Sequence, residues 1–195
     1  MAVLPIYNCF NPVLKKKTEP IKEIDDDIKT LIKDMFESMY GANGLGLAGN
    51  QIGESKSIVT IDLSKENDFK NPPPPLAMIN PVIVAFSEEE IDYQEGCLSV
   101  PKFYDSVTRP AEVEVVYLDI SGKENKLEAS GLLARVIQHE VDHLNGILFF
   151  ERLHPLRRAL SKNKLKRIQK GLVIPIYPMI DKDGKFVDGI EDDDD

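Results

Sequence analysis

One short stretch of the chain, from Gln138 to Gly146, combines residue types that bind metals and move protons. His139 and His143 stand four residues apart, and Glu140 directly follows the first histidine. On a helix this spacing puts both imidazoles on one face, within reach of a single metal ion. A glutamate at that position lies close enough to take a proton from metal-bound water without being a ligand itself. The stretch therefore predicts a hydrolytic metal site rather than a structural one.

Two histidines leave a catalytic metal one protein ligand short, because such sites use three protein ligands and keep a fourth position for water. The metallopeptidase class with a third histidine after the helix is excluded, since Phe149 stands at that position. A downstream glutamate ligand also fits poorly, because no acidic residue lies between Glu151 and Asp181. His154 comes just before a proline, outside the helix. Cys97 is the better candidate, because glycine and proline on either side would fix its backbone.

Hydrophobic periodicity predicts three helices that could position these groups. Residues 21–40 repeat apolar side chains at spacings of three and four, and Gly41 follows as a stop. The helix with both histidines is expected to begin near Ser130 and to end at Gly146. A C-terminal helix is expected over residues 155–170, with its basic side chains outward. Its inward side chains are predicted to be Leu156, Leu160, Leu165 and Ile168.

Strands are predicted where β-branched or alternating apolar residues occur. Ser57 to Leu63 and Ala77 to Phe86 have this character, and the prolines Pro72 to Pro75 indicate a stiff surface loop between them. Glu112 to Leu118 alternates polar and apolar residues, and a turn leads to another strand near residues 126–129. Strands around a central helix indicate an α+β fold. We expect antiparallel β-sheets packed around the metal-binding helix, with an N-terminal and a C-terminal helix.

A glycine-rich segment, Gly41 to Gln51, follows the first predicted helix. It has too much glycine for a helix, and it lacks the Gly-Lys-Ser/Thr ending of a phosphate-binding loop. Glycine at this density indicates backbone that must pass close to another group.

Length, charge and cysteine content limit the class of protein. The 195 residues fit one domain, and a formal charge of −9 argues against a surface devoted to nucleic acid. The charge is segregated, because Arg152 to Lys170 holds eight Lys or Arg and no acidic residue, whereas Glu191 to Asp195 is wholly acidic. Cys9 and Cys97 could form at most one disulfide, and we see neither a signal peptide nor a membrane span. A cytoplasmic protein with reduced thiols is expected.

Three segments together resemble the motifs of one enzyme family. They are Gly44 to Gln51, Glu95 to Ser99 and Gln138 to His143. In order and spacing they are similar to the three motifs of peptide deformylases, and the three together are highly specific. Asn80-Pro81 and Arg109-Pro110 also resemble the family's pattern.

The resemblance covers roughly residues 1–170 and implies a catalytic domain there, followed by an extension, 171–195, with an acidic, disordered end. The chain departs from the family's pattern in its proline loop, in its longer tail and at Gly49. That position is usually alanine, and glycine is expected to loosen the loop without removing a functional side chain.

The resemblance also implies a reaction, the removal of the formyl group from N-terminal formyl-methionine with release of formate. Glu140 would accept a proton from metal-bound water and later deliver it to the departing amine. The side-chain amide of Gln51 and the backbone N–H of Leu98 would meet the negative charge that builds on the formyl oxygen. The three ligands of one divalent metal are implied to be Cys97, His139 and His143.

Part of the methionine pocket is expected on the metal helix itself. Leu132 and Val136 share a helix face with the two histidines, because the four residues are spaced four, three and four apart. Leu45 and Gly46 from the glycine-rich segment are expected to complete the substrate contacts. An ordinary place in the core explains Leu132 and Val136, each taken singly, about equally well.

The metal and the partners follow from the same resemblance. Family resemblance favours ferrous iron, although zinc, nickel and cobalt also accept nitrogen and sulfur ligands. The expected substrates are N-formyl-methionyl peptides and nascent chains, with neither DNA nor a membrane as a partner. The basic residues 155–170 would suit docking at ribosomal RNA, and a solvated helix face explains the same charge at least as well.

Two other classes of function stay open at this point. A metallopeptidase or amidase acting on another substrate shares the helix and its base, but it leaves Cys97 and the glycine-rich motif unexplained. A non-catalytic ribosome-associated binding protein could keep the metal for stability alone, but it would not require Glu140 or Gln51.

Overall fold

The structure, a computed structural model, describes residues 2–66 and 72–189. Within these ranges the chain forms three α-helices, α1 (Asp26–Gly41), α2 (Gly131–Leu144) and α3 (Pro155–Gln169). The strands of the first half are β1 (Ile6–Tyr7), β2 (Gly46–Ala48), β3 (Ile58–Ile61), β4 (Leu76–Phe86) and β5 (Glu90–Cys97). Those of the second half are β6 (Val100–Pro110), β7 (Glu112–Leu118), β8 (Glu124–Ser130), β9 (Met179–Ile180) and β10 (Phe186–Val187).

The strands form three sheets. A five-stranded sheet has the order β2-β3-β4-β7-β8, and all its neighbours are antiparallel. β5 and β6 form an antiparallel ribbon, and a small sheet has the order β1-β9-β10. The predicted α+β fold with antiparallel sheets is confirmed. The parallel pairing of β1 with β9 was not anticipated, because the two strands lie at opposite ends of the chain.

The helix α2 lies at the centre of the molecule. It packs against the five-stranded sheet, and most of its residues are buried. Ala134, Ile137 and Leu144 join one hydrophobic cluster with Val59 and Val115 of the sheet. A helix that is apolar toward the sheet and polar toward the cleft can carry both histidines at fixed positions. The sheet therefore sets where the imidazoles point.

The helix α1 begins later than the apolar periodicity predicted. The Asp25 carboxylate accepts a hydrogen bond from the backbone N–H of Ile28 at 2.9 Å, so Asp25 caps the helix at this point. Ile21 and Ile24 precede the helix but still pack against the same core cluster, which explains why they continued the pattern. Met35, at the centre of the apolar stripe, is fully buried.

The orientation of α3 differs from the prediction. Leu156 and Leu160 were expected to face inward but are 65% and 75% exposed, whereas Ile168 is buried and Leu165 packs half-buried against the same core cluster, as expected. A polar contact sets this orientation, because the Ser161 hydroxyl donates to Asp105 at 3.2 Å and Arg157 forms an ion pair with the same carboxylate.

The chain after α3 returns to the N-terminal strand. The backbone N–H of Ile6 donates to the carbonyl of Pro178 at 2.9 Å, and that of Asn8 donates to Ile180 at 2.8 Å. Tyr177 is buried in the same cluster as Ile6. The acidic end at residues 191–195 lies outside the described residues. None of the helices in the described ranges has the length and apolar character needed to cross a membrane.

Candidate active site

A cleft of about 490 Å³ opens beside α2. Its walls come from four parts of the chain: the glycine-rich residues 42–46, the ribbon of β5 and β6, the cleft-facing side of α2, and Pro175–Tyr177. The segment from Glu95 to Pro101, which the sequence marked by its glycine and proline and by its resemblance to a family motif, comprises the end of β5, the turn at Leu98 and Ser99, and the start of β6. This turn brings a cysteine to the face of the helix that bears both histidines.

Cys97, His139 and His143 converge in this cleft. The Sγ atom of Cys97 lies 3.2 Å from Nε2 of His143, and the Nε2 atoms of the two histidines are also 3.2 Å apart. All three ligand atoms lie within 4.8 Å of one another. Across the residues that the structure describes, no other group of His, Cys, Asp or Glu side chains is arranged to hold a metal ion.

This donor set fits a small divalent transition metal. Bonds of about 2.0 Å to nitrogen and about 2.3 Å to sulfur separate the ligand atoms of a tetrahedral site by about 3.3 to 3.6 Å. The observed separations of 3.2 Å are close to these values. Two imidazoles and a thiolate are ligands that iron, zinc, cobalt and nickel accept in the divalent state. Three protein ligands leave one tetrahedral position for a reacting group.

Glu95 fixes the orientation of one imidazole. Its Oε2 atom accepts a hydrogen bond from Nδ1 of His139 at 2.9 Å, which leaves Nε2 with its lone pair facing the metal site. Burial alone would raise the pKa of Glu95, but hydrogen bonds from His139 and Arg109 hold it well below its usual range. The carboxylate therefore stays ionised and keeps His139 in one tautomer.

Two buried arginines hold Glu95. Nε and Nη2 of Arg109 donate to its two oxygens at 2.7 and 2.9 Å, and Nη1 of Arg135 donates to Oε1 at 2.8 Å. Arg109 also donates to Asp142 at 2.5 Å, and Asp142 in turn accepts hydrogen bonds from Arg152. The Glu95, Arg109 and Arg135 side chains are each 3% exposed. A network of paired charges thus extends from the metal site to Arg152, whose side chain is 43% exposed.

Glu140 lies beside the metal ligands with a free oxygen. A Cβ on Gly46 would stand 2.5 Å from its Oε1 atom, so glycine at this position makes room for the carboxylate. The Oε2 atom is buried and has no hydrogen-bond partner among the described residues. Burial raises the pKa of Glu140 to about 7; the charge of Glu95 adds to this effect, and His139 opposes it. A carboxyl group with this pKa can accept and return a proton near neutral pH.

The two expected hydrogen-bond donors lie next to the metal ligands. The Gln51 side chain accepts from the backbone N–H of Ala48 at 2.8 Å, and its Nε2 donates to Oγ of Ser99 at 3.3 Å. That nitrogen is also 3.6 Å from the Cys97 sulfur. Leu98 follows Cys97 in the turn, and its carbonyl accepts a hydrogen bond from the Tyr177 hydroxyl at 2.6 Å. Gln51 and Leu98 thus both line the cleft close to Cys97.

The substrate residues suggested by the sequence all border the cleft. They are Leu45, Gly46, Leu132 and Val136. Leu45 and Leu132 are half-buried and Val136 is buried, so an apolar ligand in the cleft would remove further apolar surface from water.

The glycine-rich segment passes close to other groups, as its composition predicted. A Cβ on Gly44 would stand 2.6 Å from the Leu98 side chain, and one on Gly49 would stand 2.4 Å from the carbonyl oxygen of Lys56. Gly49 was expected to loosen the loop. The structure gives it a different role, because this glycine allows two backbone segments to pack against each other.

Two residues of the site were not identified from the sequence. Arg135 lies one helical turn before His139, and a positively charged residue so close to the predicted metal ligands was a signal for a carboxylate partner. Tyr177 gave no such signal. It comes from the C-terminal segment, which neither a motif nor a strong periodicity connected to the cleft.

Comparisons with known proteins agree with this geometry. The family model for polypeptide deformylase matches residues 3–159. A peptide deformylase of Rhizobium meliloti (strain 1021) is 44% identical over 170 residues, which cover 87% of this chain and 96% of that protein.

Solved structures give the same result. A peptide deformylase from Synechococcus elongatus, solved in complex with actinonin, has a TM-score of 0.79 and 39% identity, covering 90% of this chain and 94% of that one. The peptide deformylase of Ehrlichia chaffeensis, also solved with actinonin, has a TM-score of 0.78 and 39% identity, covering 86% of this chain and 98% of that one. The range that the family model matches contains all three converging ligands, and the chain belongs to the polypeptide deformylase family.

Proposed function

We propose that this chain removes the formyl group from the N-terminal formyl-methionine of newly synthesised proteins, releasing formate, with Glu140 as its catalytic acid and base. Deformylation is the activity of the family, and the chain is an enzyme of this metal-dependent kind. The observation that carries the assignment of roles is the buried Glu140 carboxylate, which lines the same cleft as Cys97 and His139 and has one oxygen without a hydrogen-bond partner among the described residues.

Different residues of the site would bind the metal and transfer the proton. Cys97, His139 and His143 would hold the metal. A divalent ion bound there supplies a Lewis acid, which polarises the formyl group and lowers the pKa of a neighbouring water toward about 7. Glu140 accepts a proton from the attacking water through its free oxygen. It then donates this proton to the amine nitrogen as the bond between carbon and nitrogen breaks.

Two donors would stabilise the charge on the formyl oxygen. As the water adds to the formyl carbon, that oxygen becomes negative and needs donors already in place. The Gln51 amide and the backbone N–H of Leu98 border the site from two sides. One such donor commonly contributes about 3 kcal/mol of transition-state stabilisation. Their fixed hydrogen bonds to Ala48 and to Tyr177 support this role, because a preorganised donor needs no rearrangement during the reaction.

The methionine side chain would lie against Leu45, Gly46, Leu132 and Val136. This assignment is supported by their common place in the cleft and by their apolar character. The formyl end points toward Glu140, and the peptide leaves through the open side of the cleft.

The experiment measures formate released from a formyl-Met tripeptide by anaerobically prepared, metal-loaded protein. The matched substrate is the acetyl-Met tripeptide, and an internally blocked, unformylated peptide tests for peptidase activity. We expect formate alone, and we expect Glu140→Ala to retain the metal but lose activity. Cleavage of the blocked peptide would favour a metallopeptidase. A protein with one metal per chain and no turnover of any peptide would favour a binding role.

Ferrous iron is the native ion that we propose. The two-histidine and one-thiolate donor set accepts Fe²⁺, Zn²⁺, Ni²⁺ and Co²⁺ alike, and the choice of iron rests on the family. The same tripeptide assay, repeated with each ion under anaerobic conditions, tests it. Iron should give the highest turnover and should lose it in air, because a thiolate-bound ferrous site is oxygen-sensitive. Equal turnover of the zinc form would contradict the proposal.

We also propose that α3 docks at the ribosome, the source of nascent chains. Its lysines and arginines are exposed, and no acidic residue lies within the helix. Lys162→Glu with Lys166→Glu should weaken co-sedimentation with ribosomes roughly tenfold, and added salt should weaken the wild-type interaction. Lys33→Glu on α1, also exposed, is the matched control. Ribosome binding that changes neither with added salt nor with the two α3 substitutions would contradict docking.

The domain boundaries and location follow from the same proposal. The family match over residues 3–159 supports a catalytic domain within residues 1–170, followed by the extension 171–195. A cytoplasmic location suits an enzyme of nascent chains, and the free thiols of Cys9 and Cys97 suit a reducing compartment.

A further inference from the structure

A short part of the C-terminal extension, Pro175–Tyr177, lines the active-site cleft. It follows α3 and lies beyond residues 3–159, the range that the family model matches. The cleft therefore has one wall from outside the range that the family model matches. This raises the question of what that wall contributes to the reaction.

The segment is firmly held in place. Strand β9, which directly follows it, pairs with β1 through backbone hydrogen bonds. On its other side β9 pairs with β10. The Tyr177 ring is only 9% exposed and packs in the core cluster that contains Ile6 and Met179. The tyrosine is thus anchored by the body of the protein and reaches the cleft from a fixed point.

The hydroxyl of Tyr177 makes one specific contact at the active site. It donates to the carbonyl oxygen of Leu98 at 2.6 Å. That carbonyl belongs to the peptide group after the Leu98 Cα, and the proposed oxyanion donor, the Leu98 N–H, belongs to the peptide group before it. The two planes share one Cα, so fixing the second restricts the rotations that orient the first.

The other contacts of this turn leave the Leu98 peptide dependent on Tyr177. The Leu98 side chain is confined by Gly44, where an added Cβ would stand 2.6 Å away. The next carbonyl, that of Ser99, accepts from the backbone N–H of Cys9 at 2.8 Å. Among the described residues, the hydrogen bond to the Leu98 carbonyl itself comes from the Tyr177 hydroxyl. Removing this hydroxyl would free the Leu98 carbonyl, while the Leu98 side chain and the Ser99 carbonyl keep their contacts.

We propose that Tyr177 is a positioning residue of this enzyme. Its hydroxyl holds the Leu98 carbonyl, and this orients the Leu98 N–H toward the formyl oxygen. The proposal rests on the proposed role of the Leu98 N–H in deformylation. It makes the C-terminal segment a working part of the active site rather than an appendage. Tyr177 acts through Leu98 and needs no contact with the substrate.

The test compares Tyr177→Phe with Tyr40→Phe, each of which removes one hydrogen-bonded hydroxyl. The Tyr40 hydroxyl donates to Asp62 at 2.7 Å, and this tyrosine does not line the cleft. Formate release is measured over a range of formyl-Met tripeptide concentrations and is divided by the fraction of folded, metal-loaded chains. We expect Tyr177→Phe to lower kcat about tenfold with KM within about twofold, because a displaced donor weakens transition-state binding. Tyr40→Phe should leave both values unchanged.

A second measurement reports on the peptide itself. In the zinc-loaded protein, the amide resonance of Leu98 should shift in Tyr177→Phe and should stay in place in Tyr40→Phe. This readout stays informative when Tyr177→Phe is less stable, because it is taken from the folded fraction. A merely structural role would lower stability while the folded, metal-loaded fraction kept the wild-type kcat.

Three results would overturn the proposal. They are an unchanged kcat in Tyr177→Phe, an increase in KM alone, and a loss of metal with no shift of the Leu98 amide. The first would leave the hydroxyl without a role, the second would assign it to substrate binding, and the third would assign it to Cys97. The wild-type protein separates this failure from that of the proposed function, since formate release by wild type and Tyr40→Phe leaves only Tyr177 in question.

Discussion

Substituting Glu95 by glutamine separates what this carboxylate does for stability from what it does for the metal. Glu95→Gln keeps the size of the side chain, removes its charge and replaces one acceptor oxygen by an NH₂ group. In the wild type, the two oxygens accept four hydrogen bonds, two from Arg109 and one each from Arg135 and His139. The NH₂ group of the glutamine would face N–H donors and could accept no hydrogen bond from them. The buried guanidinium groups of Arg109 and Arg135 would also lose a negatively charged partner.

The magnitude follows from burial. The Glu95 and Arg109 side chains are each 3% exposed, so water cannot replace the lost partner. Removing one member of a buried ion pair costs about 3 to 5 kcal/mol, and losing a partner that orients a metal-bound histidine costs about 10- to 100-fold in metal affinity. Glu54→Gln is the matched control. Its partner is Lys56, and both side chains are about 40% exposed. The decrease in the free energy of unfolding should therefore stay below about 1 kcal/mol.

The assay has two arms. Urea unfolding of the metal-free proteins gives the free energy of unfolding, and competition with a chelator gives the affinity for zinc. Because the pKa of Glu95 is lowered in the folded state, its stabilising effect is present above the usual carboxyl pKa of about 4 and is lost as the pH falls below it. The difference between wild type and Glu95→Gln should therefore shrink in acid. A loss of less than 1 kcal/mol at pH 7, with unchanged zinc affinity, would refute the role given to this network.

Three further predictions concern the same site. Glu140→Gln should stabilise the metal-free protein by about 3 kcal/mol at pH 8 and by little at pH 4. The pKa of Glu140 is raised in the folded state, so its carboxylate lowers the free energy of unfolding as the pH rises through about 7. Urea unfolding at both pH values checks this, and an equal effect at both would contradict it. Gln51→Leu should keep the metal but lower kcat about a hundredfold through loss of an oxyanion donor, and near-normal formate release would defeat the assignment. Gly49→Ala should destabilise the protein by about 1 to 3 kcal/mol, because the new Cβ would stand 2.4 Å from the Lys56 carbonyl oxygen. Thermal unfolding checks this, and a stabilised variant would show that the backbone at Lys56 moves to accommodate the new methyl group.

The sequence predicted the metal ligands of the site better than their supports. His139, Glu140 and His143 are fixed by helical spacing, which is local, and Cys97 was favoured because few other ligands existed. Arg135 escaped prediction and Arg109 was noted only as part of a family-like pair, because the roles of both arginines depend on side chains distant in sequence. Arg135, for instance, meets a carboxylate forty residues earlier in the chain.

The fold shows the same division between local and distant causes. The strands β3, β4, β7 and β8 were predicted from local signals: apolar and β-branched runs in β3 and β4, alternation in β7, and the turn that leads to β8. The orientation of α3 was missed, because a contact with Asp105, more than fifty residues away, decides which of its faces turns inward. The pairing of β9 with β1 was missed for the same reason.

The pairing of β1 with β9 has a consequence for the order in which the protein matures. The two strands meet across 173 residues, from Ile6 to Met179, so this pair cannot form until nearly the whole chain has left the ribosome. The helix with the histidines and the five-stranded sheet are made earlier and can fold first, as long-range contacts form late. The wall with Tyr177 therefore closes last, and the cleft of this deformylase becomes complete only when residue 180 has emerged from the ribosome.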